Sequence, residues 1–251
     1  MISKNQIKHI NALHVKKYRD QERLFIAEGI KTCDEIILND PACIEELFIT
    51  RFYLEAQSDQ TVKHKLKYTV VSEEELKKIS TLTTPNKALT VCRYFEESKN
   101  TIDLSKQFSL YLDDIRDPGN LGTILRVADW FGIAQIFCSP HSTDLYNPKT
   151  IQAAMGAFLR VSLTYAEIQD IISDKKIPVY GAVLNGKNIY TEKLSNGLII
   201  IGNESVGISG MNSELITHPI TIPSAPSNKT ESLNASMATA IVCSEFFRQL
   251  N

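Results

Sequence analysis

Short apolar runs that alternate with amphipathic stretches through the second half of the chain predict an α/β fold, a mainly parallel sheet with helices on both faces. The runs Ser109–Leu112, Gln135–Cys138, Pro178–Val183, Leu198–Ile201 and Pro219–Ile222 read as buried strands. Helical stretches stand among them at Leu121–Phe131, Pro148–Met155, Ala166–Ser173 and Leu233–Gln249. The chain's 251 residues are 43% hydrophobic and 22% charged, enough to build one large core or two modest ones.

The first half alternates on a smaller scale. Gly29–Leu38 reads as a helix, Glu46–Thr50 and Tyr68–Val71 as strands, and Ser72–Ile79 as a second helix. Ser72 followed by Glu75 spells a capping box at that helix start. From Glu96 to Gln107 the chain is polar and loses its periodicity, which marks a linker. Two domains follow, 1–95 and 108–251.

The formal net charge of −2 excludes a bulk polycation, so a nucleic-acid partner requires a local basic patch. The first thirty residues hold Lys4, Lys8, Lys16, Lys17, Arg19 and Arg23 against Asp20, Glu22 and Glu28. That excess suits either a solvated helix face or a phosphate-contacting edge. The five cysteines are dispersed, with no C-x-x-C pair; they read as reduced, mostly buried thiols, and neither a disulfide framework nor a metal site is expected. Met1–Asn5 runs into charge without an apolar leader, and Leu198–Ile201 is too short to cross a bilayer, so a cytoplasmic chain with no membrane partner is expected. No G-x-G-x-x-G follows any expected strand, which excludes a nicotinamide dehydrogenase.

Three motifs carry chemistry. In Leu112–Gly132 a strand ends in acids, Asp117-Pro118-Gly119-Asn120 turns, and a helix follows with Arg126 among apolar neighbours. Asn120 and Arg126 thereby stand at the carboxyl edge of the sheet, where open α/β folds bind ligands, and a charge set in Leu125-Arg126-Val127-Ala128 asks for a partner. In Leu198–Gly210 an apolar strand meets Gly202-Asn203-Glu204, and the glycines let a ligand approach main-chain groups. In Ile220–Gln249 a strand closes at Pro223 and Ser232-Leu233-Asn234-Ala235-Ser236 opens the last helix, with Ser232 as the natural N-cap. Asn234 is a poor residue for a first helical turn, which hints at a second role.

In order and spacing, N-x-G-x-x-x-R, then G-x-E-x-x-G, then I-P followed by S-L-N-x-S, this set resembles the SpoU (TrmH-like) RNA 2′-O-ribose methyltransferases of the SPOUT superfamily. Phe25-Ile26-Ala27-Glu28-Gly29 and Leu82-Thr83-Thr84-Pro85-Asn86-Lys87 resemble the small L30e-like RNA-binding domain of its ribosomal-RNA members. The resemblance implies a C-terminal trefoil knot, S-adenosylmethionine as cofactor, and methyl transfer to a ribose 2′-hydroxyl of RNA, ribosomal RNA ahead of transfer RNA. It implies Gly202, Ile222 and Leu233 around the adenosyl group, and Asn120, Arg126, Glu204, Ser232 and Asn234 as the catalytic set. It also implies a homodimer, with the last helix (Leu233, Met237, Ile241, Val242, Phe246) suited either to that packing or to an ordinary core. Lys16, Lys17, Arg19 and Arg23 are the expected RNA contacts. A base-methylating SPOUT enzyme and a noncatalytic RNA-binding factor of the same fold are the alternatives, and the joint presence of the polar set weighs against both.

Overall fold

The computed structural model describes residues 2–56, 66–96, 102–172, 176–227 and 229–250. It divides into two compact units, one of residues 1–96 with 144–159 and the other of residues 97–143 with 160–251.

In unit 1, strands β1 (Leu24–Glu28), β2 (Ile44–Ile49), β3 (Tyr68–Val70) and β4 (Ala88–Arg93) form a sheet of order β1-β4-β2-β3. β4 runs antiparallel to both neighbours, while β2 and β3 are parallel. Helices α1 (Lys4–Ala12), α2 (Lys16–Glu22), α3 (Ile30–Asn39) and α4 (Glu73–Lys77) belong to the same unit. The α4 capping box forms as its sequence spells it: the Ser72 hydroxyl accepts from the Glu75 N–H at 3.1 Å and the Glu75 carboxylate accepts from the Ser72 N–H at 2.9 Å. Ile10, Leu13, Ile26, Phe48, Leu76, Ile79 and Leu89 share one core cluster, and Cys33, Ile37, Leu47 and Tyr53 another.

Unit 2 carries β5 (Ser109–Leu112), β6 (Gln135–Cys138), β7 (Ser162–Tyr165), β8 (Val179–Asn188), β9 (Leu198–Ile201) and β10 (His218–Thr221), ordered β10-β8-β9-β5-β6-β7. Every pairing is parallel. β5, β6 and β9 are buried along their whole length, the pattern of strands covered on both faces, which is why they read as unbroken apolar runs. β10 follows β8 at Tyr180 and Gly181, then shifts register to meet Lys187 and Asn188. Gly186 permits that approach, because a Cβ there would lie 2.4 Å from the Ile220 carbonyl carbon.

The helices of the second half are α5 (Pro118–Trp130), α6 (Pro148–Ala154), α7 (Ile168–Ile171), α8 (Gly210–Ser213) and α9 (Ala235–Leu250). α6 lies in the connection between β6 and β7 yet packs in unit 1, so the units are not contiguous in sequence as the 1–95 and 108–251 division expects. Aromatic packing explains it. Phe25 of β1 meets the rings of Tyr146 at 5.0 Å and Phe158 at 6.1 Å, and Tyr94 stacks on Tyr146 at 3.6 Å.

Candidate active site

Three separate segments of unit 2 converge on one side chain. Asp117 is the N-cap of α5, and its carboxylate accepts the Asn120 N–H at 2.8 Å. Pro118 takes the first helical position, where no N–H is needed. The cap fixes the first turn and leaves Asn120 buried at 8% exposure.

The second segment follows β9. A Cβ on Gly202 would fall 2.4 Å from both the Gly207 carbonyl carbon and the Ile208 nitrogen, so glycine alone allows this turn to close on itself. Asn203 and Gly207 exchange backbone hydrogen bonds of 3.0 Å. The Asn203 side chain accepts from the Ser205 and Val206 N–H groups at 2.8 and 3.2 Å, and its Nδ2 donates to the Asp114 carbonyl at 2.7 Å. The buried Asp113 carboxylate accepts the Ser209 N–H at 2.7 Å. Glu204 is held within this turn.

The third segment is the start of α9. Asn234, not Ser232, caps it: Asn234 Oδ1 accepts from the Ser236 N–H at 2.9 Å and the Met237 N–H at 3.3 Å. Ser232 is exposed and stands outside the helix, which corrects the expected cap. Serine and asparagine cap equally well in isolation, and Asn234 has a partner that Ser232 lacks. Its Nδ2 donates to Asn120 Oδ1 at 2.9 Å, while Asn120 Nδ2 donates to Glu204 Oε1 at 2.6 Å. A continuous row, Glu204, Asn120, Asn234, therefore joins the three motifs, and each bond leaves a polar group satisfied in a half-buried setting.

The remaining residues are placed differently. Arg126 is exposed and makes no hydrogen bond or ion pair among the described residues, which corrects its reading as a buried charge that needs a partner. The reason is helix phase. Leu121, Ile124, Leu125 and Ala128 form the inward stripe of α5, and Arg126 points well away from it despite its apolar neighbours in sequence. Leu233 is exposed, and Ile222, just past β10, is half-buried. In α9, Val242 and Phe246 are core residues whereas Met237 is exposed, so the apolar stripe is split between two environments.

Of the four basic residues expected to contact RNA, Arg19 is withdrawn. It is 2% exposed, its Nη2 pairs with Asp144 Oδ2 at 2.6 Å, and its Nη1 donates to the Leu13 and His14 carbonyls. Those acceptors hold both terminal nitrogens of the guanidinium inside unit 1. Arg23 lies over the Tyr94 ring at 4.8 Å, Lys16 pairs with Asp20 at 2.6 Å, and Lys17 is exposed.

Sequence reasoning passes over Asp113, Asp114 and Asn203, which brace the Glu204 turn. Two acids at the end of an apolar strand, and an asparagine between Gly202 and Glu204, are the signals that mark them. Burial, with the Asp113 carboxylate next in effect, pushes the Tyr111 phenol above its ordinary range, so it remains a neutral donor and bonds the Ala166 carbonyl at 3.3 Å.

Residues 107–244, the span that contains this whole row, match the model of the SpoU rRNA Methylase family. The chain belongs to that family. Residues 4–90 of this SpoU chain match an MRM3-like substrate binding domain. It is 27% identical over 246 residues to the 23S rRNA (guanosine(2553)-2′-O)-methyltransferase RlmP of Bacillus subtilis, covering 96% of this chain and 95% of that one. Among solved structures, a Porphyromonas gingivalis protein assigned to the TrmH family of RNA methyltransferases is 36% identical with a TM-score of 0.85, covering 99% of both chains. An AdoMet-bound rRNA methyltransferase from Sinorhizobium meliloti is 27% identical with a TM-score of 0.84, covering 100% of this chain and 98% of that one.

Proposed function

We propose that this SpoU chain transfers the methyl group of S-adenosylmethionine to a ribose 2′-hydroxyl of ribosomal RNA. The observation that carries the reading is the row Glu204, Asn120, Asn234, in which three segments far apart in sequence supply one hydrogen-bonded set. A protein that only bound RNA would have no use for so specific a junction at the carboxyl edge of a parallel sheet. Full-length similarity to RlmP, and the AdoMet bound in the Sinorhizobium meliloti structure, support substrate and cofactor respectively.

The residues present fit that cofactor. Gly202 carries no side chain, so the turn closes tightly on the Gly207 and Ile208 backbone, while Ile222 and Leu233 offer aliphatic surface outside the packed core. When bound, S-adenosylmethionine supplies an activated methyl group at its sulfonium. The protein has to hold the ribose, favour loss of the hydroxyl proton and exclude water. Arg126, exposed and with no partner among the described residues, grips a phosphate beside the target ribose in this reading and favours loss of the hydroxyl proton through its charge; it is not a proton acceptor. Asn120 and Asn234 hold the Glu204 carboxylate in one orientation, so no reorganisation is needed as charge develops.

The C-terminal knot and the homodimer belong to the same reading. Exposed apolar side chains on α5 and α9, Trp130 at 83% exposure and Met237 at 60%, support association of two copies. Five free, buried cysteines suit a reducing, cytoplasmic location, and no helix among the described residues is long and apolar enough to cross a membrane.

The test is incubation of the protein with tritiated S-adenosylmethionine and with ribosomal and transfer RNA separately, followed by mapping of the labelled ribose. Label on ribosomal RNA that vanishes in Arg126→Ala, with cofactor binding retained by calorimetry, is the expected result. No label in either RNA would sink the proposal.

A further inference from the structure

Asp114 is a hub whose purpose the catalytic row does not explain. It has a left-handed backbone, φ +56°, uncommon for a residue with a side chain. Its N–H donates to Ser139 Oγ at 2.8 Å, and its carbonyl receives Asn203 Nδ2 at 2.7 Å. Its carboxylate, less than a quarter exposed, takes both the Nε and Nη2 edges of Arg116 at 3.1 and 2.9 Å. The Arg116 side chain is itself 74% exposed.

We propose that Arg116 is an RNA-phosphate contact at the mouth of the active site, a positioning residue held ready by Asp114. An exposed ion pair contributes little to folding, so stability alone does not account for a two-bond clamp anchored on a strained, braced backbone. What the clamp does achieve is orientation. A guanidinium presents five N–H donors on a rigid plane, the fork to Asp114 occupies two of them, and the rest face solvent. The rotamer entropy that an arginine loses on binding phosphate has already been lost here. The same Asp114 whose side chain aims Arg116 fixes, through its carbonyl, the Asn203 turn that carries Glu204. The Asp114 carboxylate first, and Glu204 more weakly, push the Arg116 guanidinium above its ordinary pKa. RNA supplies the complementary group: a planar cation beside a ribose-binding site matches the phosphate that flanks that ribose.

This inference rests on the reading of the site as an RNA ribose methyltransferase, and the experiment separates the two. Wild type, Arg116→Ala, Arg116→Lys and Asp114→Asn, each as the full chain, are assayed for methyl transfer to ribosomal RNA and for RNA binding between about 50 and 200 mM salt. Arg116→Ala is expected to raise the KM for RNA about tenfold and to lower the salt slope by about one, with kcat within about twofold and S-adenosylmethionine affinity unchanged. Arg116→Lys keeps the slope but recovers only part of KM, because a point charge replaces a fork. Asp114→Asn keeps the positive charge, and so the salt slope, but raises KM because Arg116 is no longer aimed. A KM and slope for Arg116→Ala equal to wild type would overturn the assignment of Arg116 and leave the activity standing. A wild type that labels no ribosomal RNA would overturn the activity, and this assignment with it.

Discussion

Asn120 donates to Glu204 across 2.6 Å, a bond between the first turn of α5 and the turn after β9 that sets the orientation of the carboxylate. Because Asn120 also accepts from Asn234, its loss releases both neighbours at once.

Asn120→Ala is therefore expected to cut single-turnover methyl transfer about 10²- to 10³-fold, the range for loss of one preorganised donor, and to cost about 1–3 kcal/mol of stability. Asn120→Asp is more damaging to the rate because it sets a second carboxylate against Glu204. Thermal melting and a rapid-quench assay measure the two effects, and a fully active Asn120→Asp would show that the bond has no part in catalysis.

At Gly202 even one methyl group is too much. Its Cβ would overlap the Gly207 and Ile208 backbone, which is not the far end of a yielding side chain, so Gly202→Ala must open the turn. The expected result is at least about tenfold weaker S-adenosylmethionine binding by calorimetry. Unchanged affinity would place the cofactor elsewhere.

Arg19 tests the opposite kind of residue. Arg19→Ala leaves Asp144 without its partner inside unit 1, and loss of one member of a buried pair costs about 3–5 kcal/mol. The variant is expected to melt early, while Arg19→Met combined with Asp144→Asn recovers a good part of the loss. Under conditions where the variant is still folded, its RNA-binding salt slope should match wild type; a reduced slope would restore Arg19 as a phosphate contact.

Unit 1 should also lose stability in mild acid. Burial pushes the His14 imidazole below its ordinary pKa of 6.5, against an opposing pull from the Glu28 carboxylate, and its Nε2 is buried without a hydrogen-bond partner. The unfolded chain then binds a proton at a pH where the folded chain does not. Stability is intact above about pH 6.5 and declines as pH falls through that value toward the folded pKa. Melting curves between about pH 8 and 5.5 should show the decline, and His14→Gln should flatten it. A His14 resonance that titrates at or above the ordinary value would contradict this.

What the sequence discloses follows from the range of the interactions involved. The Ser72–Glu75 capping box and the runs at β5, β6 and β9 are settled by neighbours a few residues away or by burial on both faces, so they stand in the structure where the residues place them. Three of the polar residues named for the site, Asn120, Glu204 and Asn234, do meet. The misreadings all turn on distant partners or on helix phase. Ser232 and Asn234 are equal as caps until Asn120 is considered. Arg126 looks buried in a line of text and is exposed on a cylinder. Arg19 belongs to a basic run until Asp144 arrives from 125 residues away.

The row also bears on when the protein begins to work. Asn234 is bonded to Asn120 from 114 positions further along the chain, and it caps the last described helix. During synthesis β5 and α5 emerge long before the residue that completes their junction, so every nascent chain passes through a stage with a formed sheet and no assembled catalytic row. On the proposed reading of the row, activity arrives only with the final helix, and a chain shortened before α9 is expected to be inert whatever else of it has folded.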